Sequence, residues 1–208
     1  MLAKKGLFIS VEGIDGAGKS THIPFIKSYL ETKGYQVKLA RDPGGTDLGD
    51  KIRELLLNDK MNSITELLLM FASRQELISQ VIMPSLNAGI CVLSDRFVEA
   101  SFAYQGAGRL IGQDKVKALS EILTPSIKTD LTLVFDVSLL TAQNRLSLNR
   151  KKDRIEGESR EFFERVRAAY INLSLSEPHR VKIINSEGTI PQIQQLIANA
   201  LDDLTNLK

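Results

Sequence analysis

The run Gly13-Ile-Asp-Gly-Ala-Gly-Lys-Ser20 satisfies the pattern G-x-x-x-x-G-K-[ST] in full. Its glycines let the backbone turn so that N–H groups face inward. Those groups, with the N-terminus of a following helix, bind phosphate oxygens. In such a loop Lys19 bridges the β- and γ-phosphates and Ser20 ligates Mg²⁺. A nucleotide seated there would touch Gly13, Ile14, Asp15, Gly16, Ala17, Gly18, Lys19, Ser20 and Thr21. The run follows an apolar stretch and opens a helical pattern, the setting that separates a phosphate loop from an inert glycine-rich turn. The pattern specifies a nucleoside triphosphate site and leaves the reaction open.

The elements that must hold this loop are short apolar runs alternating with longer helical patterns. Strands are predicted at Leu7–Val11, Val37–Ala40, Ile90–Ser94, Leu131–Val137 and Val181–Asn185. They are continuously apolar more than alternating, as expected for a parallel sheet covered on both faces. Helices are predicted at Lys19–Lys33, Leu48–Leu57, Thr65–Asn87, Asp114–Leu123, Leu139–Asn149, Ser159–Ser176 and Pro191–Leu204, with Gly34, Gly89 and Pro125 as punctuation. This order implies an α/β fold with a parallel sheet. Ligands of such sheets bind at the carboxyl ends of the strands. There the sequence places Glu12 and the loop, then Arg41-Asp42-Pro43-Gly44-Gly45-Thr46, Asp95-Arg96-Phe97, Asp136 and Asn185-Ser186.

Composition sets the outer bounds. The chain has 208 residues, 43% hydrophobic and 25% charged, with a net charge of +2. A single domain over 1–208 follows from that length, with roughly 70% of the unfolded surface buried on folding. The charge balance argues against a nucleic-acid binder, as does the lack of aromatic residues interleaved with the basic run at 150–154. Cys91, the lone cysteine, lies in an apolar run and reads as a core thiol. No run approaches the ~20 apolar residues that span a bilayer, and no export core follows Met1-Leu-Ala-Lys-Lys5, so no membrane association and a cytoplasmic location are expected. No Asn-Lys-x-Asp segment is present to read guanine. Arginines after the second and third strands suit a kinase of a small phosphorylated acceptor.

Six segments together resemble the bacterial thymidylate kinase family: Glu12 to Ser20, Arg41 to Thr46, Phe71-Ala-Ser-Arg74, Asp95-Arg96-Phe97, Ala103-Tyr-Gln-Gly106 and Asp153-Arg-Ile-Glu156. They occur in the family's order and span nearly the whole chain. The resemblance implies a P-loop nucleoside monophosphate kinase fold: a five-stranded parallel sheet flanked by helices, with a short lid at about 149–157. It implies transfer of the ATP γ-phosphoryl group to dTMP, giving dTDP and ADP on the way to dTTP. ATP and Mg²⁺ are the implied cofactors, and a homodimer the implied assembly. Another deoxynucleotide or nucleoside monophosphate kinase is the alternative within enzymes, and a nucleotide-dependent switch the alternative outside them.

The resemblance also implies residue roles. Arg96 would bind the dTMP phosphate, with Arg53 nearby, and Asp95 would reach the Mg²⁺ shell. Arg74 would donate to a base carbonyl. Phe71 would stack on the base, with Met70 as a softer alternative platform. Ser101 and Gln105 match base-contacting positions, and Tyr104 one that crowds the sugar 2′ position. Asp15 and Asp42 would lie near the sugar hydroxyl and the metal. The P-loop carries no arginine, so the lid should supply the transition-state arginine, either Arg150 or Arg154. The acceptor is a phosphate monoester with a second pKa of ~6, already largely dianionic at neutral pH. No strong base is needed, and His22 and His179 are expected at the surface.

Overall fold

The computed structural model describes residues 6–123, 127–146 and 153–206. Five strands form one parallel sheet: β1 (Phe8–Glu12), β2 (Val37–Arg41), β3 (Cys91–Asp95), β4 (Leu131–Asp136) and β5 (Val181–Asn185), in the order β2-β3-β1-β4-β5. The order is fixed by the connections. The chain leaves β1 toward β2, past β3, and leaves β3 toward β4, past β1. The direction of the connections therefore reverses between these two neighbours, the position where α/β sheets bind ligands. Val11 and Arg41 both lie in register with Asp95. The carboxyl ends of β1, β2 and β3 thus end level, in Glu12, Arg41 and Asp95.

Helices cover both faces: α1 (Lys19–Thr32), α2 (Asp47–Asn58), α3 (Ser63–Leu77), α4 (Met83–Asn87), α5 (Val98–Ser101), α6 (Gln113–Leu123), α7 (Leu139–Arg145), α8 (Arg160–Ser176) and α9 (Ile190–Asn206). Their starts are written locally. The side chains of Thr46, Asn62, Ser138 and Ser159 each accept the backbone N–H three residues on. Successive β1 residues face opposite ways. Ile9 and Val11 join the larger core, with Leu93, Leu133, Tyr170 and Leu201, while Phe8 packs with Leu77, Val92 and Phe97 on the other face. No helix among the described residues is long and apolar enough to cross a membrane.

Two π-helical stretches depart from the expected periodicity. Ile78–Ile82 joins α3 to α4 within the single helix predicted over Thr65–Asn87, and Phe102–Gly108 continues α5. The second carries no helical signal in the sequence: its i→i+5 spacing breaks the 3.6-residue pattern, and Gly106 and Gly108 read as loop. Gly108 is needed for contact, since a Cβ there would lie 2.6 Å from the Phe162 ring. Helix α7 ends at Arg145, and the rest of the predicted Leu139–Asn149 helix lies outside the described residues. Cys91 is buried, and burial pushes its thiol up to about 12. His179 is exposed, but His22 is not: it packs on α1 with its ring centroid 5.6 Å from that of Phe135. Burial, with Arg145 nearby, lowers its pKa.

Candidate active site

The loop after β1 turns back on itself through Gly13, Gly16 and Gly18, all with positive φ. Gly16 is also fixed by contact. A Cβ at that residue would sit 2.3 Å from the Ala142 carbonyl oxygen, so α7 packs directly against the loop. Lys19 opens α1 and bends into the loop, donating from Nζ to the carbonyls of Gly13 (2.9 Å) and Ile14 (3.0 Å). Burial and the nearby Arg96 guanidinium pull its ammonium below the ordinary lysine range. Ser20 and Thr21 follow at the exposed start of α1, where the Thr21 N–H donates to the Gly18 carbonyl.

Arg96, directly after β3, has φ +69°, a conformation that costs a side-chain-bearing residue roughly 1–2 kcal/mol. Its own N–H holds the turn by donating to the Val11 carbonyl at 3.0 Å. The turn aims the guanidinium across β1, where Nη1 donates to Gly13 O and Nη2 to Asp15 Oδ1, both at 2.9 Å. Its Cζ lies 4.9 Å from the Tyr104 ring centroid. Burial pushes the Asp15 carboxyl up, but Arg96 and Lys19 outweigh it and hold the group at about 2. Behind them Glu12 is fully buried, accepting the Phe97 N–H at 2.8 Å and the Tyr170 hydroxyl at 2.7 Å. Burial and the neighbouring Glu99 push its carboxyl up to about 8.

A cavity of about 400 Å³ opens in front of this array. Its lining includes Asp15, Ser20, Asp95 and Arg96 beside the loop, together with Asp42, Arg53, Met70, Arg74, Tyr104, Gln105, Asp153, Ile155 and Glu156. Arg74, on α3, donates from Nε to Asp42 Oδ2 at 2.5 Å, within a pair that is essentially solvent-free. Its Nη2 donates to the Ser101 hydroxyl at 3.0 Å, while its Nη1 is buried without a hydrogen-bond partner among the described residues. Arg53 donates to the Pro43 carbonyl at 3.0 Å. Asp95 Oδ1 is likewise buried without a partner among the described residues. With Ser20 it offers oxygen donors, the set a hard cation such as Mg²⁺ takes.

Most of the residues singled out in the sequence converge here, with three departures. Phe71 does not line the cavity. It packs with Leu67 and Val116, 4.7 Å behind the Arg74 guanidinium, because it lies one step round α3 from Met70. Ser101 also sits behind Arg74 and not on the cavity wall. Arg154 turns away from the loop, donating from Nε and Nη2 to the Leu56 carbonyl at 3.0 and 2.8 Å and from Nη1 to Glu66 at 2.7 Å. Arg150 lies outside the described residues.

Sequence reasoning missed Glu66 and Arg109. Glu66 is 1% exposed on α3, and it accepts from Gln105, Arg109 and Arg154 together. No local spacing links positions 66, 105, 109 and 154. The available hint was a glutamate on the apolar face of α3, four residues before Met70.

The thymidylate kinase family model matches residues 11–197. The chain belongs to the thymidylate kinase family. The thymidylate kinase of Thiobacillus denitrificans is 47% identical over 200 residues, covering 96% of this chain and 98% of that protein. That of Nitrosomonas europaea is 44% identical over 202 residues, covering 96% and 94%. The crystal structure of thymidylate kinase from Ehrlichia chaffeensis superposes with a TM-score of 0.78 at 30% identity, covering 95% of this chain and 99% of that one. The sheet and its helices are therefore those of a P-loop nucleoside monophosphate kinase. As a thymidylate kinase the chain is an ATP-dependent phosphotransferase, and ATP with Mg²⁺ is its phosphate donor.

Proposed function

We propose that the chain transfers the γ-phosphoryl group of ATP to the 5′-phosphate of dTMP, giving ADP and dTDP. One observation carries this reading. Arg96 donates to the same Gly13 carbonyl as the P-loop lysine, and it lines one cavity with Arg74, a buried arginine with a donor unpaired among the described residues. The first arginine suits a phosphate and the second a base carbonyl.

In this reading the loop amides and Lys19 hold the ATP phosphates, and Arg96 and Arg53 take the dTMP phosphate. Two polyanions must be brought end to end, so the chemistry is in-line positioning with charge neutralisation. Mg²⁺, held by Ser20 and Asp95, would add positive charge beside the transferring group. Asp15 keeps Arg96 aimed while lowering the net positive charge of the cluster. Asp42 and Ser101 keep Arg74 aimed, and Phe71 backs its guanidinium. Met70 forms the face for thymine, and the Tyr104 ring, under Arg96, limits space at the sugar. Asp153 to Glu156 form the described part of a lid in a single kinase domain, with the transition-state arginine at Arg150 and Arg154 as the lid's anchor.

The chain acts as a homodimer in the cytoplasm, where ATP and deoxynucleotides meet. Exposed leucines and isoleucine on α2 and α3 (Leu48, Leu55, Ile64 and Leu68) support the dimer, and sedimentation of the free protein checks it. The function is tested by measuring ATP turnover with dTMP, dUMP, AMP, dCMP and thymidine. Strong preference for dTMP is expected. Preference for another monophosphate would reassign the acceptor, and slow hydrolysis indifferent to acceptor would remove the kinase reading.

A further inference from the structure

We propose that Glu66, which lines no part of the cavity, is the positioning residue that makes the enzyme reject cytosine, by fixing which end of the Gln105 amide faces the base. The proposal rests on the reading of dTMP as acceptor.

An ionised carboxylate only accepts hydrogen bonds. Burial works against ionisation of Glu66, but hydrogen bonds from Gln105, Arg109 and Arg154 outweigh it and hold the carboxyl below its ordinary range. Glu66 therefore carries no proton to donate at neutral pH. The Gln105 amide approaches it to 2.8 Å, and only the NH₂ end is tolerated at that distance, since a flipped amide would set two acceptors together. The amide oxygen is left on the other side. Gln105 lines the cavity, and its Oε1 is buried with no partner among the described residues. Arg74 lines the same cavity, and its Nη1, which only donates, is likewise buried with no partner among the described residues.

The wall thus offers one fixed acceptor and one fixed donor. Thymine presents the complement, an N3–H donor beside the O4 acceptor. Cytosine presents the reverse, an N3 acceptor beside an amino donor. Binding cytosine would leave two buried protein groups facing like groups, the kind of mismatch that gives strong discrimination. Uracil has the same edge as thymine, so this device does not separate dTMP from dUMP. A neutral amide in place of the Glu66 carboxylate would accept either end of the Gln105 amide and so release the constraint.

The test measures kcat/KM for dTMP, dUMP and dCMP in the unaltered enzyme, in Glu66→Gln, and in the exchanged pair Glu66→Gln with Gln105→Glu. In Glu66→Gln the dTMP-to-dCMP ratio should fall by about tenfold or more, the loss expected when a buried polar match becomes optional. The dTMP-to-dUMP ratio and the KM for ATP should hold. A merely structural role would depress all three acceptors in proportion. The exchanged pair restores an acceptor-only group at residue 105 and should recover the discrimination. It also keeps one carboxylate in the Glu66–Gln105 pair, so it carries the test if Glu66→Gln alone does not fold. An unchanged dTMP-to-dCMP ratio in Glu66→Gln, or an exchanged pair that accepts dCMP freely, overturns the proposal. Failure of the unaltered enzyme to favour dTMP would instead overturn the acceptor assignment beneath it.

Discussion

Arg96 and Glu12 show how single side chains are set by what surrounds them. Arg96 is drawn toward Asp15 and the Gly13 carbonyl of the phosphate loop. Arg96→Ala should raise the KM for dTMP by about 10²-fold, since one charge-assisted pair is worth ~1.5–3 kcal/mol. The KM for ATP should move much less, and steady-state kinetics with each substrate varied in turn will tell. Glu12 sits where burial favours its neutral form, with a folded pKa of about 8 against an ordinary 4.5. The folded chain then binds more protons than the unfolded chain between those values. The stability associated with Glu12 is complete below pH ~4.5 and is lost as pH rises through about 8. Glu12→Gln removes that dependence. Thermal melting from pH 5 to 9 should show a shallower decline for the variant than for the parent; parallel curves would contradict it.

At the scale of elements, the P-loop and α7 form a single contact. Gly16 must accept φ +83° and a backbone oxygen at the place a Cβ would occupy. Gly16→Ala should displace the loop from α7 and raise the KM for ATP by about tenfold or more, because the loop amides no longer converge. The KM for dTMP should be the lesser casualty. The π-helical stretch after α5 is the matching device on the acceptor side. It places Tyr104 and Gln105 on the cavity wall while Ala103 enters the core. An α-helix from the same start would rotate these residues differently, since π-type bonding adds an extra residue per turn.

Across the whole molecule, Arg154 ties the segment before α8 to α2 and α3, through Leu56 and Glu66. Arg154→Ala breaks three hydrogen bonds of a partly buried guanidinium and should cost ~2–4 kcal/mol, a clear fall in melting temperature. In the proposed mechanism, Arg150→Ala should lower kcat by about 10³-fold. A large kcat loss in Arg154→Ala at normal stability would exchange these roles. The same tie explains why Glu66 matters beyond its helix. One buried carboxylate meets side chains from α3's neighbours on two sides, the stretch after α5 and the segment before α8.

The chain order determined the α/β class, the five strands and the phosphate loop, because these rest on contacts between residues near in sequence: apolar runs, glycine spacing and caps. Arg96 was singled out by its place directly after a strand, and Arg74, within a helix, by the resemblance its Phe71-Ala-Ser-Arg74 segment carries. Tertiary structure decided what depended on rotation about a helix axis or on partners far along the chain. Met70 and Phe71 are adjacent letters, yet one faces the cavity and the other the core. His22 reads as a surface residue and lies against the Phe135 ring. Glu66 gains its place only when residues 105, 109 and 154 are folded around it, since hydrogen bonds between distant segments leave no periodic trace in a linear sequence.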